Sequence, residues 1–185
     1  MKIIFIRHGE PDKNAVDIRG FIGQGRDLAP LTKLGVEQAK AASVNPKIAG
    51  GQVIISSPYT RALQTAAIIS KNTGLDIKID MDVYEFLSDK TYQVKGEEEN
   101  HNLHLEFIAN KGEYPEGETR KWESITEIIA RVKPVMDKYV DMGYEKIIVV
   151  THGGIMRRFV GKADIEYCEV CEVEYNKDFV CYGWV

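Results

Sequence analysis

The sequence predicts an α/β fold: a doubly wound, mostly parallel sheet with helices on both faces and a C-terminal antiparallel edge hairpin. Three observations carry this. Short apolar stretches at Ile3–Ile6, Val53–Ile55, Ile77–Ile79 and Ile147–Val150 read as strands, the longest without a polar break, as in strands buried on both faces. Between them apolar residues recur with a helical period. Three of the stretches run straight into polar turn residues, and open α/β sheets bind their ligands beyond the carboxyl ends of the strands.

The first strand is followed at once by Arg7, His8 and Gly9. A long loop rich in glycine and charge comes next, from Pro11 to Asp27; its length marks it as a binding loop. Thr32 is the expected N-cap of a helix reaching about Val44. The second strand ends in Ser56-Ser57-Pro58, which is expected to cap a helix over about 59–73 with Gly74 as its C-cap. Arg61 falls in the first turn of that helix, on the same rim as His8. After Ile77–Ile79 the chain leads through Asp80–Glu85 into a polar stretch and a helix reaching Phe107. Residues 86–120 are expected to form a lid or cap. From Trp122 to Met142 the apolar period predicts one long helix, kinked at Pro134. Lys146–Val150 is the fourth strand and ends in Thr151-His152-Gly153-Gly154, and a short helix through Met156 and Phe159 follows. Tyr167–Tyr175 and Phe179–Trp184 complete the prediction as the edge hairpin, turning near Asn176–Asp178.

Composition narrows the function classes. With 185 residues and no linker or repeat, one domain over 1–185 is expected. The net charge of -4 supplies no basic stripe, so nucleic acid is excluded as a partner. An anionic substrate would need a local cluster of cations. No apolar run reaches the roughly 18 residues of a membrane helix. The first run stops at Arg7 with no cleavage site after it, so neither a membrane nor a signal peptide is expected and the location is cytoplasmic. Cys168, Cys171 and Cys181 are too few for a disulfide framework. Cys168 and Cys171 have metal or redox spacing, but on a strand residues three apart face opposite ways, so buried strand thiols are expected.

The strand ends carry chemistry suited to phosphate. Phosphoryl transfer is catalysed mainly by positioning and electrostatic stabilisation. Arg7 and Arg61 offer planar forks of charge-assisted donors, and the helix start near Tyr59 adds amide donors. A histidine is a nucleophile only when neutral, and neighbouring guanidinium groups keep His8 so. Its second ring nitrogen then needs an acceptor such as a carbonyl. His152 is a candidate third donor to the phosphoryl oxygens. A carboxylic acid must protonate the leaving oxygen and later activate water.

Taken together, Arg7-His8-Gly9-Glu10, Ser56-Ser57-Pro58 with Arg61, and Thr151-His152-Gly153-Gly154 resemble the histidine phosphatase superfamily, the phosphoglycerate mutase-like proteins. Gly23-Gln24-Gly25 with Asp27, Pro30-Leu31-Thr32 with Gly35, and Gly117-Glu118-Thr119 extend the resemblance to about residue 160. It implies a covalent phosphohistidine on His8, with no metal and no cofactor. Arg7, Arg61, His152 and Gly153 would hold the phosphoryl group, joined from the loop by Asn14, Gln24 and Gly25. Val83-Tyr84-Glu85 matches the position of the family's acid. The residues after Glu85 depart from the phosphatase pattern, which leaves Asp82 and Asp89 as alternatives. The implied function is hydrolysis of a small phosphomonoester. The alternatives are a mutase, for which the chain is short, a phosphoprotein (phosphohistidine) phosphatase, a silent phosphate-binding module or a metal hydrolase. His101 and His104 read as a surface pair, Arg157-Arg158 as a solvated helix face, and Glu97–Glu99 as a solvated run.

Overall fold

The computed structural model describes residues 1–94 and 97–185; the side chain of Glu97 also lies outside the described set. In chain order the elements are β1 (Lys2–Arg7), α1 (Asn14–Asp17), α2 (Lys33–Ser43), β2 (Ile54–Ser56), α3 (Thr60–Thr73), β3 (Ile77–Ile79), α4 (Glu97–Ala109), α5 (Ile125–Asp141), β4 (Lys146–Thr151), α6 (Gly153–Val160) and β5 (Val170–Glu174). Five strands form one sheet in the order β3-β2-β4-β1-β5. All pairs are parallel except β1 with β5.

β1 alternates between two cores. Ile3 and Phe5 join one, with Val132, Met136 and Phe159 of α5 and α6. Ile4 and Ile6 join the other, with Ala39, Ala66 and Ile69 of α2 and α3. Helices therefore cover both faces, which is why this strand shows no polar alternation. Each of these fully buried β1 side chains contributes on the order of 1.5–3 kcal/mol.

Helix ends follow their local chemistry. Thr32 caps α2 by accepting from the Gly35 amide at 2.9 Å. Gly74 ends α3 in the left-handed region, at φ 73°. Ser124 and Glu127 form a reciprocal capping box at the start of α5, which continues through Pro134 as a single helix. The turn after β1 packs against α2 through two glycines. A Cβ on Gly9 would stand 2.5 Å from the Gly35 carbonyl oxygen, so neither strand end nor helix could approach with a larger residue there.

Several expectations need correction. The C-terminal hairpin is not formed: β5 pairs alone with β1, and residues 179–184 contain no strand. Their aromatics are used for packing instead. Phe179 stacks on Phe159 at 5.9 Å, and the Tyr182 amide donates to the Arg158 carbonyl at 2.8 Å. β5 starts at Val170, not Tyr167, because Cys168 turns the chain with φ 56°. Even so, Cys168 packs in the core of α2 and α3 while Cys171 packs on the opposite side. All three cysteines are free thiols, and burial raises Cys168 to about 12 and Cys171 to about 11. Arg158 does not lie on a solvated face; it is buried. Glu98 and Glu99 are exposed, as expected. The Gly117–Thr119 segment lies ahead of α5, with Glu118 paired to Arg120.

Candidate active site

The β1–β4 ladder pairs Arg7 with Thr151, and the His8 amide donates to the Thr151 carbonyl at 3.0 Å. The residues that follow, His8 and His152, thus emerge side by side, with ring centroids 5.0 Å apart and edge-on. His8 is buried. Its Nδ1–H donates to the Gly9 carbonyl at 2.8 Å, which fixes the tautomer and leaves the lone pair on Nε2. Arg61 Nε–H approaches that lone pair at 3.2 Å. Burial first, then the charges of Arg61, Arg7 and Lys13, outweigh the Gly9 carbonyl and push the His8 pKa down to about 3. The imidazole is neutral at physiological pH.

Arg61 divides its guanidinium between His8 and Asp27, which it meets at 3.0 Å, and lies 5.0 Å from the centre of the Tyr59 ring. Arg7 donates to the Ile165 carbonyl and stacks 4.1 Å over Tyr167, while its Nε is buried without a partner among the described residues. His152 is fully buried, with Nε2 2.7 Å from Ser57 Oγ and Nδ1 unpartnered among the described residues. Burial, then His8 and Arg61, hold it neutral. Ser57 therefore serves both His152 and the start of α3: its Oγ also accepts from the amide of Tyr59, the N-cap residue, at 3.3 Å.

Above these groups opens a cavity of about 690 Å³. Of the expected residues, Arg7, His8, Gln24, Arg61 and Glu85 line it; Asn14, Gly25, His152 and Gly153 do not. Asn14 is exposed on α1, and the neighbouring Lys13 faces the cavity in its place. Gly153 packs on the Arg7 guanidinium, where a Cβ would lie 3.6 Å from Nε. Glu85 accepts from its neighbour Phe86 N at 2.9 Å and from Gly154 N at 3.4 Å. Asp82 is exposed and outside the cavity. Asp89 lines it, but its carboxylate is saturated by Thr91, Gln93 and Val94. Burial would raise its pKa, yet those hydrogen bonds from Thr91, Val94 and Gln93 outweigh burial and hold it below the usual range. Asp89 thus anchors its loop, and of Asp82, Glu85 and Asp89 it is Glu85 that lines the cavity without such an anchoring role; Asp27 lines it too, paired to Arg61.

Sequence reasoning missed several contributors. Tyr59, Tyr167 and Lys13 frame the two arginines and line the cavity. Arg131 was hidden in the amphipathic pattern of α5, and Glu123 just ahead of its N-cap. Arg131 pairs with buried Glu123 at 2.5 Å and donates to the carbonyls of Asp82 at 2.6 Å and Tyr84 at 3.1 Å, clamping the segment that carries Glu85. The signal for Arg131 was a charged side chain beside the apolar face of the helix. Among the described residues no group of three or more His, Cys, Asp or Glu is placed to hold a metal ion, and no helix is long and apolar enough to cross a membrane.

The five-stranded sheet and the paired histidine strand ends define a phosphoglycerate mutase-like fold. The family model of the histidine phosphatase superfamily (branch 1) matches residues 3–177, and the chain belongs to that superfamily. It is 27% identical to the probable phosphoglycerate mutase GpmB of Proteus mirabilis over 205 aligned positions, covering all of this chain and 90% of the relative. Among solved structures, Bacillus stearothermophilus YhfR superposes with a TM-score of 0.72 at 20% identity, over 100% of this chain and 95% of the other. The mycobacterial glucosyl-3-phosphoglycerate phosphatase complexed with VO3 gives 0.69 at 21% identity, over 92% and 90%.

Proposed function

We propose that the protein is a phosphatase that hydrolyses small phosphomonoesters through a phosphohistidine on His8. One observation carries this reading: a neutral imidazole lining a cavity between two guanidinium groups, with an unprotonated Nε2 that accepts from Arg61 Nε–H until a phosphoryl oxygen takes that donor over. In the first step Nε2 attacks phosphorus and the bond to the leaving oxygen breaks. Arg7 and Arg61 hold the phosphoryl oxygens, and Glu85 hands a proton to the leaving oxygen. His152 lies outside the cavity and backs the His8 ring edge-on at 5.0 Å, with Nε2 accepting from the Ser57 hydroxyl. In the second step water gives a proton back to Glu85 and attacks phosphorus, which releases phosphate and restores neutral His8.

The test is a phosphoenzyme trap. Labelled substrate should leave acid-labile, alkali-stable phosphate on the wild type and none on His8→Ala, which should also lose turnover. Label on the alanine variant, or none on the wild type, would refute the reading. A mutase is the second reading, favoured by the name of the curated relatives. It differs in returning the phosphoryl group to another hydroxyl of the substrate. Phosphate release from a panel of esters, without added metal, against interconversion of phosphoglycerate isomers separates the two.

A further inference from the structure

A second cavity, of about 290 Å³, adjoins the first, and Arg7, Glu85 and Phe86 line both. Its far side is built by Arg157 and Arg158 of α6, His104 and Phe107 of α4, and Trp184 of the C-terminal tail. The Nε atoms of Arg7, Arg157 and Arg158 are all buried without a hydrogen-bond partner among the described residues. Buried cations are ordinarily paired, because an uncompensated charge in the interior costs several kcal/mol.

Glu85 is the acidic side chain that lines this cavity, and the tail adds a carbonyl. Arg158 donates to the Gly183 carbonyl, a neutral acceptor. Burial, and next the Arg157 charge, lower the Arg158 pKa to about 10. The opposite wall is aromatic: Phe107 lies 4.4 Å from Phe86 and 5.8 Å from Trp184, ring centre to ring centre. An apolar cavity of about 150 Å³ holds benzene, so the volume here admits a ring together with an anionic substituent.

We propose that this cavity is a subsite for a second anionic group, a carboxylate or phosphate, carried by the leaving group on a flat apolar spacer. The direction rests on the phosphatase reading above: the leaving oxygen faces Glu85, so whatever it carries extends past Glu85 and Phe86 toward Arg157 and Arg158. The phosphoryl group then occupies the first cavity and the second anion occupies the second.

Binding by calorimetry, which needs no turnover, tests this with para-carboxybenzylphosphonate against benzylphosphonate. The wild type should bind the carboxylate compound about tenfold or more tightly, the size of a charge-assisted hydrogen bond. In Arg157→Gln the ratio should fall toward one, and Arg157→Lys should retain part of it. Equal affinities in the wild type, or a ratio that survives in Arg157→Gln, would overturn the subsite. Should the glutamine variant not fold, the wild-type ratio still decides. Free benzoate that binds equally well with and without benzylphosphonate present would give the cavity to a separate anion and defeat the leaving-group assignment. A high ratio with no hydrolysis of the matching phosphate esters would leave the subsite standing and remove the phosphatase reading.

Discussion

Replacing Arg131 with methionine strips buried Glu123 of its partner. The two side chains are 12% and 5% exposed. They meet in two parallel contacts, Nε to Oε1 at 2.5 Å and Nη2 to Oε2 at 3.0 Å. After the change Glu123 keeps one donor, Leu87 N at 3.2 Å. Breaking a buried pair from one side costs about 3–5 kcal/mol, and a chain of this length loses roughly 2–4 °C per kcal/mol. Urea and thermal unfolding should therefore show Arg131→Met about 10 °C less stable. The double variant Arg131→Met/Glu123→Met should recover much of the loss, since apolar replacement of both partners is often near neutral. Activity should not recover with it, because the carbonyls of Asp82 and Tyr84 still lack the donor that holds the Glu85 segment. A single variant within about 1 kcal/mol of wild type, or a double no better than the single, would refute the reasoning.

Glu85→Gln should slow alkyl phosphates by about 100-fold more than nitrophenyl phosphate, whose leaving oxygen needs no proton; equal losses in steady-state kcat would remove Glu85 as the acid. Gly154→Ala places a Cβ onto the Glu85 carboxylate. It should lower kcat at least tenfold while unfolding curves shift by less than about 1 kcal/mol, because the flexible carboxylate and not the backbone gives way. The buried imidazole also makes stability pH-dependent. The pKa of His8 is near 6.5 unfolded and about 3 folded, so between those values the unfolded chain binds the extra proton. Its contribution is intact above about pH 6.5 and declines by roughly 1.4 kcal/mol per pH unit as the pH falls toward 3. His152 is shifted in the same direction. His8→Asn should therefore flatten the acid limb of stability against pH; an unchanged limb would show that His8 is not buried as a neutral base.

What the sequence disclosed depended on whether a signal was local. The two histidine strand ends, Thr32 as a cap, Gly74 as a stop and Arg61 in a first turn are each dictated by their immediate neighbours, and all stand where the pattern put them. The edge hairpin did not form because residues 179–184 are tied to α6 by the Phe179–Phe159 stack and the Tyr182 amide instead of to a ladder partner, a choice made by tertiary contacts. Ser57 read as a cap because it precedes Pro58. Its role beside His152 depends on a residue far along the chain, and nothing local announces that distance. Arg158 beside Arg157 looked like solvent-facing charge, and only the path of the tail puts it indoors.

The ladder between β1 and β4 sets the spacing of the two imidazoles through main-chain bonds at the centre of the sheet. Their relationship should persist as long as the sheet itself does. The parts that would meet the rest of a bound molecule, α4, residues 86–94 and the tail, lie outside the sheet and are held by side-chain contacts and a few isolated main-chain bonds. Amides of the inner strands should thus exchange with solvent only through global unfolding, while those of α4 open on their own. A chain built this way keeps its reactive pair fixed while its selectivity is free to drift, one outer segment at a time.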